Sequence, residues 1–284
     1  MLSEPQLEKC KQFIYRHGRL LERKRYAYHF EGGSRQAVLD VLACHQNADG
    51  GFGHGLELDV MCPQSSPICT EVGLAILIEC DACDSAMTDR AEAWIVASQR
   101  EDGKLAHPED AVRAYPHGEW WLGDDDIRVF SLAGLLGKLG RGTEEFYARV
   151  AALFRATYSP FPAEIGVYMY PLHLYLSYAP GADQFAAERT ALRGLIPNML
   201  AREAWHCPLF FCHDRWHSED ITDDVWREEA RKAVSTLEDD GGVSIAKYAK
   251  MPWWRPVWTL EMLVRLRRQR LLKTTGEPGV AGDA

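Results

Sequence analysis

The stretch that decides the fold of this chain is residues 46–54, which read Gln-Asn-Ala-Asp-Gly-Gly-Phe-Gly-His. A glutamine is followed by an acidic turn with paired glycines and then by an aromatic residue. Glycine supplies the positive φ angles that a tight turn needs. The pattern returns in weaker form at residues 99–103 (Gln-Arg-Glu-Asp-Gly) and 239–243 (Asp-Asp-Gly-Gly-Val). A turn that recurs along a chain is typical of a repeat architecture.

The segments around these turns have the periodicity of helices, and none of them forms a convincing strand hairpin. Residues 34–46 predict an amphipathic helix with Ser34 as its N-cap. The pair Ser66-Pro67 predicts the start of a helix that is apolar almost all round, which implies burial on more than one side. In total we expect about ten or eleven helices.

Later in the chain, helices that are apolar on all sides alternate with amphipathic ones, beginning at residue 127. This alternation predicts helical hairpins in two concentric layers, with the inner layer buried on both sides. One of the apolar helices, predicted over residues 165–178, contains Pro171. Because proline cannot donate a backbone hydrogen bond, we expect a kink or a break there.

Composition and charge narrow the classes of protein. The 284 residues are 46% hydrophobic and 26% charged, which suits a globular protein with a sizeable core. The net charge of −9 repels nucleic acid and anionic membranes, so we expect no nucleic-acid partner. No apolar run approaches the roughly 20 residues that span a bilayer, and the N-terminus has no secretory apolar region, which predicts a cytoplasmic protein. We expect one domain over residues 1–273 and a disordered tail over 274–284.

The Gln-x-x-Asp-Gly-Gly-Phe-Gly run, its echoes and the helix alternation resemble the terpenoid cyclase and protein prenyltransferase superfamily. In that family, "QW" repeats end a helix with a Gln and pack an aromatic residue after a Gly-rich turn; Gln46, Asp49 and Phe52 match this pattern, and Gln99 matches in part. The chain also looks like small bacterial single-toroid proteins that share a Gly-Phe-Gly-His-x-Leu-Glu-x-Asp stretch. The resemblance covers residues 34–272 and implies an all-α fold, an α/α toroid with an apolar central cavity.

The acidic run Asp124-Asp125-Asp126 is the first candidate for chemistry. Class II cyclases of the family protonate an alkene or epoxide with the middle Asp of an Asp-x-Asp-Asp motif. Here Gly123 stands in place of the first Asp, so the resemblance implies Asp125 or Asp126 as the donor, with Asp124 raising its pKa. The alternative role is a cap, because carboxylates at a helix start satisfy free N–H groups and favour the helix dipole.

A second candidate group, His54, Glu57 and Asp59, follows the first turn on a loop. A histidine and two carboxylates this close in sequence could act as an acid/base pair. Loops on rigid scaffolds often carry function. The alternative is structural, with the carboxylates paired to arginines and His54 bonded to a backbone group.

Aromatic residues form a third candidate group. Cyclases line their cavity with rings whose faces stabilise carbocations. The aromatics of this chain cluster in an apolar helix and in loops, one of which is a long irregular stretch over residues 104–123 of the kind that often carries function. Ordinary core packing is the alternative for each of them. As a set they predict an apolar substrate pocket. The residues are Tyr115, Trp120, Trp121, Tyr168, Tyr175, Trp253 and Trp254.

A cysteine- and histidine-rich segment is the fourth candidate. Cys207, Cys212, His213 and His217 have a spacing, Cys-x4-Cys-His-x3-His, that could bind zinc. Zinc serves prenyltransferases on the same fold, yet their Asp-x-Cys pattern is not clearly present and the usual Cys-x2-Cys spacing is missing. We therefore predict no cofactor, with zinc as the alternative.

These observations lead to a hypothesis of acid-initiated cyclisation or isomerisation of an apolar isoprenoid or related natural product. Three alternatives stay open: a zinc-dependent prenyltransferase or cyclase, a carbohydrate-active (α/α) barrel, and a non-catalytic binding toroid. A chain of this length has room for only one toroid. Its pocket would be shallow unless two copies associate, which makes a homodimer an expectation.

Overall fold

The computed structural model describes residues 2–123, 127–202, 205–212, 216 and 221–272, without the side chain of Cys207. This described part contains α-helices and short 3-10 turns but no strand, which confirms the all-α prediction. The helices are α1 (Glu4–His17), α2 (Leu20–Phe30), α3 (Arg35–Ala43), α4 (Pro67–Glu79), α5 (Ala86–Ala97), α6 (Glu109–Arg113), α7 (Arg128–Lys138), α8 (Glu144–Thr157), α9 (Tyr170–Tyr178), α10 (Ala186–Arg202), α11 (His206–Cys212), α12 (Asp223–Val234) and α13 (Arg255–Arg268).

Local capping explains where several helices begin. The Ser34 side chain accepts a hydrogen bond from the Ala37 N–H at 3.1 Å, and Ser66 accepts one from the Cys69 N–H at 3.3 Å. Each bond satisfies one of the N–H groups that the first helical turn leaves without a partner. Pro67, whose fixed φ suits the first helical position, follows Ser66. The predicted starts of α3 and α4 are therefore confirmed.

The helix predicted over residues 165–178 is shorter than expected. The structure has a 3-10 turn at Val167–Met169, and α9 begins only at Tyr170. Pro171 lies in the first turn of α9, where the missing N–H costs nothing. The proline therefore starts the helix instead of kinking it.

Burial follows the predicted alternation. Most residues of α4, α7 and α9 are buried, whereas α8 buries only one face. The backbones of α7 and α9 come very close, because a Cβ added at Gly134 would lie 2.4 Å from the Leu174 carbonyl carbon. Glycine permits this approach, and the two helices form the buried part of their unit together with α4.

The chain divides into two compact units. One consists of residues 19–206, which include α2 to α10, and the other of residues 1–18 together with 207–284. The first unit contains both long loops that the sequence singles out, at 53–66 and 104–123. The second unit brings the N-terminal helix α1 into contact with the C-terminal helix α13.

The three related turns predicted from the sequence share one backbone conformation. We call residues 46–52 the first turn, 99–105 the second and 237–243 the third. In each turn, an isolated antiparallel bridge joins the first residue to the seventh. The Asp at the fourth position accepts a hydrogen bond from the N–H two residues later, at 3.0, 3.1 and 2.9 Å respectively. The Gly at the fifth position has a φ of +98°, +86° and +88°.

The fifth-position glycine of each turn also lies directly against a helix backbone. A Cβ at Gly50 would lie 2.3 Å from the Arg90 carbonyl oxygen of α5, and one at Gly103 would lie 2.8 Å from that of Arg149 in α8. At the third turn, a Cβ on Gly241 would meet the Lys9 carbonyl of α1 at 2.4 Å. The N-terminal helix thus packs on the third turn as α5 and α8 pack on the first two.

The repeat extends into the helix that follows the first and third turns. Residues 63–70 and 252–259 share the pattern Pro-x-x-x-Pro-x-x-Thr. The Thr70 hydroxyl accepts a hydrogen bond from the Phe52 N–H at 3.0 Å, and Thr259 accepts one from the Val243 N–H at 2.8 Å. The hydroxyl therefore anchors each turn to its helix, α4 or α13.

Candidate functional site

The acidic run Asp124-Asp125-Asp126 lies outside the described residues. Its neighbours are described on both sides: Gly123 precedes it, and Arg128 is the first residue of α7.

The three candidate side chains His54, Glu57 and Asp59 lie on one loop but differ in their exposure to solvent. His54 is exposed, and its Nε2 lies 2.8 Å from the Asn47 Oδ1. Glu57 is buried, with 7% of its surface exposed, and Asp59 is half-buried. The Arg19 guanidinium holds this loop from outside by donating to the Gly55 carbonyl at 2.8 Å.

The loop 104–123 lies beside the loop 53–66. The Met61 N–H donates to the Pro116 carbonyl at 3.0 Å, and the Gly118 N–H donates to the Asp59 carbonyl at 2.9 Å. A bridge between Val60 and His117 joins the two loops between these bonds. The sequence marked both loops as candidates, and the structure brings them together.

Three of the predicted aromatic residues lie on this second loop. Tyr115 and Trp120 are exposed, at 42% and 60%, while Trp121 is half-buried. The Trp121 carbonyl lies 2.9 Å from the His107 Nε2. The ring of Trp121 faces the Arg128 guanidinium, whose central carbon is 5.7 Å from the ring centroid.

A buried polar cluster lies behind this loop, where α4, α7 and α9 meet. We call Glu71, Arg128, Ser131 and Tyr170 the Glu71 cluster. The Arg128 Nη1 donates to Glu71 Oε2 at 3.0 Å, and the Tyr170 hydroxyl donates to Glu71 Oε1 at 2.6 Å. The Ser131 hydroxyl also donates to Glu71, and Arg128 also donates to the Tyr170 hydroxyl. All four residues are at most 6% exposed.

The cluster is held together by charge and by ring contact. The Glu71 carboxylate accepts three hydrogen bonds, and the Arg128 central carbon lies 5.2 Å from the Tyr170 ring centroid. A buried ion pair gains little net stability over apolar packing, because both charges lose their water. Ionisable groups kept in such a place are candidates for function.

Sequence reasoning missed Glu71 and Arg128. The available signal was a charged residue inside a helix that is otherwise apolar on all sides: Glu71 follows Ile68, Cys69 and Thr70 in α4. A charge in such a helix must find a partner on a neighbouring helix.

The remaining predicted aromatics divide between the two units. Tyr175 is buried in α9 among the rings of Phe130 and Phe154, at centroid distances of 5.5 and 5.3 Å, and burial raises the pKa of its hydroxyl. Tyr168 is 45% exposed. Trp253 and Trp254 belong to the unit of residues 1–18 and 207–284.

Most of the predicted zinc ligands are not among the residues that the structure describes. His213 and His217 fall outside the described residues, as does the side chain of Cys207. Cys212 is buried, and burial raises the pKa of its thiol well above the usual value. Within the described ranges, no group of three or more His, Cys, Asp or Glu residues is placed to hold a metal ion.

The buried thiols near the loops are not reactive. Cys69 lies in the first turn of α4, and burial raises its pKa to about 11. Because the thiolate is the nucleophile, a thiol with this pKa is inert near neutral pH.

In comparisons with known proteins, no family model, no curated protein and no solved structure matches this chain. The resemblance to the terpenoid cyclase superfamily therefore stays a prediction. Across the described residues, no helix combines the length and the apolar character needed to cross a membrane.

Proposed function

We propose that this protein is an enzyme of the terpene-cyclase type, which starts the cyclisation or isomerisation of an apolar isoprenoid substrate by protonating it. The reaction would take place where the loop 104–123 covers the first turn of α7. The observation that carries this proposal is the Glu71 cluster, whose burial costs free energy because its charged groups lose their water. Its member Arg128 begins α7 and follows Asp126 by two positions in the sequence.

The proposed architecture is a single α/α toroid. Its support is the turn that recurs three times, each time with a glycine against a helix backbone. Helix α1 packs on the third turn in the way that α5 and α8 pack on the first two turns. This packing agrees with a toroid in which the N-terminal helix completes the series of repeats. The alternation of buried and half-buried helices agrees with two layers.

The proposed chemistry needs a neutral carboxylic acid. Asp125 or Asp126 would transfer its proton to an alkene carbon, so that the O–H bond breaks, a C–H bond forms and a carbocation remains on the neighbouring carbon. Asp124 would keep the donor protonated, because adjacent carboxylates oppose a further negative charge. The cation would then lose a proton or gain water.

The Glu71 cluster would act as the support of this site. The ion pair between Glu71 and Arg128 fixes the first residue of α7, from which the acidic run extends. The rings of Trp121 and Tyr170, which both face Arg128, belong to the same region and would form its aromatic wall. In this role, Glu71 is a positioning residue.

The first test is turnover. We would incubate the purified protein with squalene and with geranylgeraniol, separate the products by gas chromatography and identify them by mass spectrometry. We expect a cyclic or isomerised product, and a loss of at least about 100-fold in rate for Asp125→Asn or Asp126→Asn, since general acids contribute roughly 10²–10⁴-fold. Asp110→Asn is the matched control, because Asp110 is an exposed acid in α6, a short distance before the acidic run in the sequence.

Two results would contradict the proposal: full turnover in the double variant Asp125→Asn/Asp126→Asn, or no product from either substrate with well-folded protein. Stoichiometric zinc in the purified protein, lost in Cys212→Ser, would favour the zinc-dependent alternative instead.

A further inference from the structure

The third turn borders a cleft of 470 Å³ within the unit of residues 1–18 and 207–284. This volume lies in the range of small-molecule sites, about 300–1,000 Å³. Its walls combine the carboxylates of Glu238 and Asp239 with the rings of Tyr248 and Trp258. The lining residues of the cleft and the Glu71 cluster belong to different units.

The cleft carries an excess of negative charge. Asp240, one of the lining residues, is neutralised by Arg255, whose Nη1 and Nη2 donate to the two carboxylate oxygens at 2.9 and 2.7 Å. Glu238 and Asp239 are exposed, and neither has a side-chain partner among the residues that the structure describes. Two carboxylates therefore remain to attract a cation, in a protein whose net charge is already −9.

The aromatic wall is ordered by stacking. The rings of Trp254 and Trp258 are nearly parallel, with centroids 6.0 Å apart and an interplanar angle of 13°, and the Tyr248 ring lies 5.9 Å from Trp258. The faces of such rings attract cations and accept apolar groups.

The residues at the matching positions of the first turn make a polar contact that the third turn lacks. There, Asn47 takes the position of Glu238, and its side-chain oxygen lies 2.8 Å from the His54 ring nitrogen. In the third turn, the position of His54 holds Ile245, which has no polar group. At the first turn, His54 therefore supplies a ring nitrogen that bonds to the Asn47 side chain. At the third turn, Ile245 supplies no such group.

The two loops also differ in length. The Asn47 amide donates to the Pro63 carbonyl at 2.9 Å and to the Ser65 hydroxyl at 3.0 Å, so that the first loop closes over its turn. The bonds that anchor the turns to Thr70 and Thr259 span 18 and 16 residues, so the third loop is two residues shorter. The cleft borders the shorter of the two loops, because Ser244, Tyr248 and Pro252 line it.

We propose that this cleft binds a small organic cation with an apolar body. The ammonium or guanidinium group lies between Glu238 and Asp239, and the apolar body packs against Tyr248 and Trp258.

The test uses tyramine and its uncharged analogue tyrosol, in which a hydroxyl replaces the ammonium group. Isothermal titration calorimetry of the full chain at low salt is expected to give one saturable site for tyramine. We expect tyrosol to bind about 2- to 30-fold more weakly, because it lacks two exposed charge pairs that contribute roughly 0.2–1 kcal/mol each. Equal binding of the two compounds, or no saturable heat with tyramine, would overturn the proposal.

Variants locate the site. Glu238→Gln/Asp239→Asn is expected to weaken tyramine binding about 2- to 30-fold, because it removes both exposed charge pairs. The circular dichroism spectrum should not change, since both side chains are exposed. The control Glu101→Gln, at the position in the second turn that matches Asp239, is expected to leave binding unchanged. An equal effect of both variants overturns the assignment, as does a neutral sugar such as maltose that binds the double variant as well as the wild type.

Discussion

The first turn with α4 and the third turn with α13 are built alike but differ in what they carry. Both place a glycine of positive φ against a helix, and both bind a turn N–H to a threonine hydroxyl in the next helix. The residue after that threonine is Glu71 in α4 and Leu260 in α13, and both are fully buried. One scaffold therefore supports a buried polar cluster in one copy and plain apolar packing in the other.

Comparing the two turns distinguishes the features needed to build the fold from the features that are candidates for function. What both copies share is required by the turn, because it satisfies backbone groups and permits close packing. What only one copy has, namely the Glu71 cluster in the first and the open cleft in the third, is not needed to build the turn. Those features are the candidates for activity and binding.

The largest effect on stability is expected when Glu71 of α4 is replaced by leucine, the residue at the matching position of α13. Glu71→Leu removes the carboxylate but leaves the Arg128 guanidinium buried, which we expect to lower the free energy of unfolding by about 3–5 kcal/mol. Leu260→Met, a volume-conserving change at the matching position, should cost less than about 1.5 kcal/mol. Urea denaturation measures both. A Glu71→Leu variant as stable as Leu260→Met would contradict the importance of the buried pair.

A smaller effect tests whether the two turns are equivalent. Gly50→Ala and Gly241→Ala should each cost about 2–4 kcal/mol, because the new Cβ meets a helix carbonyl and the positive φ is strained. Gly32→Ala is the control: its φ is +69°, but nothing lies within 4 Å of the added Cβ, so only about 1 kcal/mol of strain is expected. If thermal unfolding ranks Gly32→Ala with the other two, the close packing of the turns is not what requires glycine.

The smallest effect concerns pH and the pair Asp240–Arg255, which the first turn lacks because Ser66 stands at the position of Arg255. Hydrogen bonds from Arg255 hold the pKa of Asp240 below its usual range. Such a carboxylate stabilises the fold above its unfolded pKa of about 3.9, and this contribution is lost as the pH falls through the lower folded pKa.

Because the Asp240 side chain is 47% exposed, the pair should contribute less than about 1 kcal/mol. Asp240→Asn is therefore expected to lower the free energy of unfolding slightly at pH 7 and to converge with the wild type once the pH falls below the lowered folded pKa of Asp240. A difference from the wild type that persists unchanged at low pH would show that the effect is not one of charge.

Much of the local structure could be predicted from neighbouring residues. Ser34 and Ser66 mark helix starts because a serine caps the N–H groups of the next turn, and Pro67 fits only a first turn. Pro171 was misjudged, since proline is tolerated at the start of a helix and the sequence alone did not locate that start.

The candidate site could be predicted only in part. Both loops were recognised, and so was the helix start that follows Asp126, but the side chains that meet there were not. Glu71 is 57 residues from Arg128 and 99 from Tyr170, and no periodicity relates residues on three different helices.

By itself, the sequence determined the helical class, the recurring turn with its glycines, and the alternation of buried and half-buried helices, because each depends on interactions within a few residues or on a simple period. The tertiary structure alone decided that Glu71, Arg128 and Tyr170 share one buried cluster, and that a cleft borders the third turn. Burial and pairing depend on which helices pack together, and that is a property of the whole chain rather than of any segment.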